Sequence, residues 1–153
     1  MIDILVIFGP SLNMFGTREP HIYGSDTLAD TKAELEAQAR GLDCEITIMG
    51  SNNESSLVTK IQQPRGTAKV ILFNLTAYTQ KLIALRDTLA IFDGPKGEVH
   101  LANNYQRESF GEISLTALVS NDLIVGFGQE SFLLGPVAVD GMLKKMKIIS
   151  VNR

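Results

Sequence analysis

Ile2–Phe8 reads Ile-Asp-Ile-Leu-Val-Ile-Phe (IDILVIF), a near-continuous apolar run rich in β-branched residues. So short and apolar a run reads as a strand buried on both faces, the habit of parallel sheets. Four more such runs follow: Glu45–Met49 (EITIM), Val70–Asn74 (VILFN), Glu98–Leu101 (EVHL) and Leu123–Phe127 (LIVGF). Longer amphipathic stretches separate them. In Thr27–Arg40, Leu28, Leu35 and Leu42 share one helical face, and Thr27 with Asp30 forms a capping-box pattern. Ser55–Gln63 is a shorter helix candidate. Ala77–Leu89 is another, with Leu82, Leu85 and Leu89 on one side. Strand–helix alternation of this kind predicts an α/β fold of three layers, a five-stranded parallel sheet with helices on both faces.

The last third is harder to read. Gly135-Pro136 and Gly141 interrupt the expected final helix. Proline inside a helix costs about 3 kcal/mol unless it sits in the first turn, so the helix is expected to begin near Pro136. The tail Met146–Val151 (MKIISV) reads as a strand or packed extended segment.

The length, 153 residues, is that of one domain over residues 1–153. Lys+Arg 14 against Asp+Glu 17 gives a net charge of −3, which argues against binding nucleic acid or an anionic membrane. No apolar run reaches the roughly 20 residues that span a bilayer. The chain opens on a strand-like run rather than a signal peptide. The single cysteine cannot form an internal disulfide, so the reading is a cytoplasmic protein in a reducing compartment. Two histidines and no cysteine cluster leave no set of metal ligands.

In open parallel sheets ligands bind outside the carboxyl ends of the strands. Those ends carry residues 9–24, 74–80, 100–107 and 126–128. Gly9-Pro10-Ser11-Leu12-Asn13 lacks the Gly-Lys-Ser/Thr of a phosphate loop, and no GxGxxG follows the first strand, so nucleotide binding is not expected. Residues 16–24 form a loop longer than the usual two to six residues, as lids do. Glu98 and His100 are two apart on a strand and therefore share a face. A carboxylate beside an imidazole raises its pKa and orients it, which suits a general acid; a core histidine satisfied by its neighbour would look the same. Lys81 and Lys96 show no setting that would activate a Schiff-base lysine. Cys44 reads as a small buried hydrophobe.

Taken in order, Ile4–Gly24 (ILVIFGPSLNMFGTREPHIYG), Asn74–Leu89 (NLTAYTQKLIALRDTL), Glu98–Arg107 (EVHLANNYQR) and Val125–Gly128 (VGFG) resemble type II 3-dehydroquinate dehydratase. The resemblance implies a flavodoxin-like α/β domain assembled as a homododecamer built from trimers. It implies a lyase of shikimate synthesis or quinate breakdown, without a cofactor, acting on a small cyclic hydroxy-keto acid. It makes Tyr23 the base that takes the proton alpha to the ketone, with Arg18 on the lid and Arg107 holding it as tyrosinate. Lowering a tyrosine from pKa 10 to near 7 requires about 4 kcal/mol. One arginine at ~5 Å supplies roughly 3 kcal/mol at an effective dielectric near 20. By the same resemblance His100, paired with Glu98, protonates the departing hydroxyl. Asn74 orients His100 and substrate, and the amides at Leu101 and Ala102 hold the substrate carboxylate.

The chain departs from the family pattern at a group of positions. Ser11 replaces an asparagine that helps hold a water, Ala102 a serine and Leu75 a proline. Gln80 stands where the family has a histidine, and Gly111 where it has an arginine. Those last two grip the distal diol together with the aspartate matching Asp87. Each lost hydrogen bond is worth about 1–3 kcal/mol, so losing two lowers the specificity constant roughly 30-fold to 10⁴-fold. Three readings follow. The chain is a weakened or retuned dehydroquinate dehydratase, a lyase on a related cyclic hydroxy-keto acid with a changed distal group, or a catalytically poor relative kept for binding or assembly.

Overall fold

The computed structural model describes residues 1–10, 26–63, 69–80, 82–106 and 114–151, with backbone alone at 77, 80 and 146–151. Five strands, β1 (Ile2–Phe8), β2 (Cys44–Gly50), β3 (Val70–Asn74), β4 (Lys96–His100) and β5 (Asp122–Val125), form one sheet in the order β2-β1-β3-β4-β5. Every pairing is parallel. Among the described residues four α-helices connect or follow them: α1 (Leu28–Gly41), α2 (Glu54–Gln62), α3 (Ile83–Ile91) and α4 (Glu130–Val151). This is the three-layer α/β architecture expected from the sequence.

The period-2 geometry of the strands divides the core in two. Ile4, Val6 and Phe8 of β1 join Val70, Leu72, Val99 and Leu101 in a cluster with Leu35 of α1 and Phe132 of α4. Leu5 and Ile7 point the other way, to Ile71 and Phe73, and pack with Leu57 and Ile61 of α2 and Leu85 and Leu89 of α3. Leu28 and Leu42 pack beside Leu35 at the edge of the first cluster. The capping box at the start of α1 is present: Thr27 Oγ1 accepts the Asp30 N–H at 3.1 Å, and Asp30 Oδ2 accepts the Thr27 N–H at 2.8 Å. Cys44 is buried where β2 begins.

Two expectations about the last third of the chain fail. The final helix does not wait for Pro136; α4 starts at Glu130 and carries Pro136 inside it. The proline ring removes one helical hydrogen bond, but tertiary packing holds the turn before it. Phe132 meets Phe8 edge-on at 4.8 Å between ring centroids. Buried Ser131 accepts the Phe127 N–H at 3.0 Å. At Gly135 the helix backbone lies so close to the sheet that a Cβ would fall 2.6 Å from Leu72 Cδ1. The glycine that looked like a helix breaker is what lets the helix reach the sheet. The tail is also corrected: Met146–Val151 continues α4 as helix rather than forming a strand.

The stretch read as one helix over Ala77–Leu89 is two pieces, a 3₁₀ turn at Thr76–Gln80 and then α3. Thr76 adopts φ 52°, and the Thr79 carbonyl accepts the Leu115 N–H at 2.7 Å instead of continuing a helical ladder. A tie to a distant segment thus ends the first turn.

Candidate active site

The sheet order reverses between β1 and β3, and their carboxyl ends meet directly. The Gly9 N–H donates to the Asn74 carbonyl at 2.7 Å. A Cβ at Gly9 would lie 2.6 Å from Leu75 Cα, so only glycine permits this approach. Asn74, the last residue of β3, is buried. Its Oδ1 accepts the Thr76 N–H at 2.9 Å and so supports that residue's positive φ, leaving Nδ2 as its donor end.

One strand over, Phe73 pairs with Glu98 in register, which brings His100 to the same end of the sheet. The chain continues through Leu101, which is buried in the core, and half-buried Ala102. The Gly126 N–H donates to the His100 carbonyl at 3.1 Å, and the Gly128 N–H to the Leu101 carbonyl at 2.8 Å. Gly126 sits at φ 95° and Gly128 at φ 60°, conformations that glycine adopts without strain. These bonds knit the loops after β4 and β5 into one rim.

Glu98 is completely buried and His100 nearly so. The expected pair is formed, with His100 Nε2 3.5 Å from Glu98 Oε1. Two residues not anticipated complete the cluster. Ser114 Oγ lies 2.8 and 2.9 Å from the two carboxylate oxygens, and Thr116 Oγ1 donates to Oε1. Burial alone pushes the Glu98 carboxyl up. The contact with His100, through its N–H and its charge, and the Thr116 and Ser114 hydroxyls outweigh that and hold it below the ordinary carboxylate value. The sequence signal for these two residues is a Ser-Leu-Thr spacing, which here brings two hydroxyls together in the turn that leads into a 3₁₀ helix at Ala117–Val119. Nothing local says that they face an acid on another strand.

The remaining candidates fall into two groups. Ser11, Arg18, Tyr23, Arg107 and Gly111 lie outside the described residues. Gln80 closes the 3₁₀ turn after β3, with its backbone alone described. Asp87 is exposed on the outer face of α3, where its carboxylate accepts from Arg86 at 2.7 Å, the simple charge balance of neighbouring side chains. Among the described residues no group of three or more His, Cys, Asp and Glu side chains could hold a metal ion. None of their helices is long and apolar enough to cross a membrane.

A doubly wound parallel sheet with a buried acid–imidazole pair at its carboxyl edge defines an α/β protein equipped for proton transfer. Residues 2–140 match the family Dehydroquinase class II, and the chain belongs to that family. It is 46% identical over 144 residues to a 3-dehydroquinate dehydratase of Geotalea daltonii, covering 94% of this chain and 100% of that protein. It is 43% identical over 145 residues to one of Gloeothece citriformis, covering 95% of each. A type II dehydroquinase crystal structure from Butyrivibrio crossotus superposes with a TM-score of 0.85 at 36% identity, over 87% of this chain and 93% of that one.

Proposed function

We infer that this chain is a hydro-lyase that removes water from 3-dehydroquinate to give 3-dehydroshikimate, a step of the shikimate pathway. The observation that carries the reading is the buried Glu98–His100 pair, set at the carboxyl end of β4 in a class II dehydroquinase chain. Tyr23, held as tyrosinate by Arg18 and Arg107, takes the proton alpha to the ketone and leaves an enolate. His100 then gives a proton to the departing hydroxyl, and the enolate collapses to the enone as water leaves. With Nε2 turned toward Glu98, Nδ1 is the ring nitrogen left to deliver that proton. Asn74 offers Nδ2 to the substrate or to the imidazole. The amides at Leu101 and Ala102, at the end of the strand that carries the acid, suit the substrate carboxylate, and Ser11 holds the water near the enolate. No cofactor enters these steps.

The changed positions Gln80 and Gly111, with Asp87 turned to Arg86, favour a second reading for the distal ring. The same elimination would then act best on a cyclic hydroxy-keto acid that lacks the usual diol. Mixing purified protein with 3-dehydroquinate and following enone absorbance tests the first reading. Turnover abolished by Tyr23→Phe supports it; no turnover contradicts it. Analogues altered at the diol then test the second.

The assembly we propose is a homo-oligomer of trimers reaching twelve copies. In support, β5 is an edge strand of the sheet, and it borders a groove of about 580 Å³ lined by Tyr105, Leu123, Phe127, Leu134 and Val137. Exposed apolar surface beside an open sheet edge is what subunit contacts cover. Sedimentation of the purified protein checks it, and a monomer contradicts it. The single buried cysteine fits a reducing compartment, and the cytoplasm is the location we propose.

A further inference from the structure

The two hydroxyls around Glu98 do more than fill space. Both come from a segment remote from β4: Ser114, 16 residues on, and Thr116, 18 residues on. Hydrogen counting decides what they can do. The Ala117 N–H donates to Ser114 Oγ at 3.1 Å, which occupies one acceptor site of that oxygen and turns its hydrogen away from the backbone. Ser114 and Thr116 have one hydroxyl hydrogen each. An ionised carboxyl, which only accepts, takes both of them and still has acceptor capacity toward His100, whereas a protonated one would bring a third hydrogen to the same cluster. The Ser114–Thr116 contact at 3.2 Å then has no hydrogen left to it, and both oxygens face the carboxylate as donors. Glu98 is completely buried, so water cannot replace either donor.

Among the described residues the cross-strand surroundings are neutral. Cross-strand neighbours of Glu98 are Phe73 on β3 and Leu123 on β5. Among the described residues the ionisable group that faces Glu98 is His100.

We propose that Ser114 and Thr116 are positioning residues, which hold Glu98 as a fixed, ionised acceptor and through it lock the orientation and tautomer of the His100 ring. This rests on the dehydratase reading for its catalytic consequence, though not for its chemistry. The backbone donor at Ala117 sets Ser114, the hydroxyls set Glu98, and Glu98 keeps the Nε2 hydrogen of His100, so that Nδ1 is the nitrogen that gains a proton in the imidazolium and delivers it. An acid oriented in this way loses rate, rather than affinity, when its support is removed.

Thr116→Val removes the hydroxyl and keeps the shape. The expected result is a kcat about 10- to 100-fold lower with KM within about twofold, the size expected for a hydrogen bond to a charged group. Thr116→Ser should stay near the parent. The acid limb of the kcat profile should move to higher pH, since Glu98 loses a donor that stabilises its charged form. In a Glu98→Gln background Thr116→Val should add little, because the support has nothing left to support. Ser114→Ala should lower kcat in the same way, with an added loss of stability from the turn at Ala117. Equal losses in Thr116→Val and Thr116→Ser, or full additivity with Glu98→Gln, would overturn the proposal. A second readout needs no substrate: the carbon NMR titration of the Glu98 carboxyl, assigned with Glu98→Gln. Its midpoint should lie below the ordinary carboxylate value and rise in Thr116→Val. An unmoved midpoint overturns the proposal even in a protein without turnover, whereas absent turnover with a moved midpoint overturns the activity alone.

Discussion

Lys96 and Glu98 occupy one face of β4, two residues apart, and both bury a charged side chain. Lys96 lies at the amino end. Its Nζ donates to the Phe92 carbonyl at 2.6 Å and the Gly94 carbonyl at 3.2 Å, where the last turn of α3 leaves acceptors unused. Burial pulls its pKa down, and Asp93 only partly opposes that. Glu98 lies toward the carboxyl end, where donors converge on it so strongly that its pKa falls despite deeper burial. One end of the strand tolerates a charge while the other is built to keep one. Full burial of an ionisable group therefore says little about function. What matters is whether the surroundings favour the charged form and whether a second titratable group stands next to it, as His100 does.

The comparison breaks first at the functional end. His100→Ala and Glu98→Gln should each lower kcat by about 10²- to 10⁴-fold while the far-ultraviolet circular dichroism stays that of the parent. A retained rate in both variants would make the pair a structural one, like Lys96. The next largest effect concerns the distal ring: Gln80→His with Gly111→Arg should raise kcat/KM on 3-dehydroquinate by about 30-fold or more, since two hydrogen bonds return. If the steady-state assay shows no gain, the pocket differs at further positions.

The structural end should respond in stability instead. Lys96→Met leaves two carbonyls without their donor and should lower the unfolding free energy by about 1 kcal/mol, with kcat within about twofold. Denaturant melts and the same assay separate the two effects. The smallest effect is the pH dependence of stability. Glu98 has a folded pKa below its unfolded value, so its contribution is present above the unfolded carboxylate pKa of about 4.3. That contribution is lost as pH falls through the lower folded value. Lys96 gives the same sign in an alkaline window: its folded pKa is also depressed, so the buried charge costs stability at lower pH, and the cost is relieved as pH rises through the folded value. Acid melts of Glu98→Gln should lack the first dependence, and alkaline melts of Lys96→Met the second.

Much of this was legible beforehand where the signal is local. The IDILVIF run, the Thr27–Asp30 capping box and the spacing of Glu98 and His100 each depend on neighbours in sequence, and the structure bears all three out. Features set by distant contacts were not. Gly135-Pro136 reads as an interruption until Leu72 and Phe8 are known to lie beneath that turn. The Thr76–Gln80 turn ends because of Leu115. Ser114 and Thr116 acquire meaning from an acid on another strand. Propensity describes the chain alone, and tertiary packing overrides it where the gain is larger.

Whether the chain is a working dehydratase is measured directly as enone formation from 3-dehydroquinate by the purified protein. The predicted result is slow, saturable turnover that disappears in Tyr23→Phe and in His100→Ala. No turnover at any substrate concentration, or turnover that both variants retain, would contradict it.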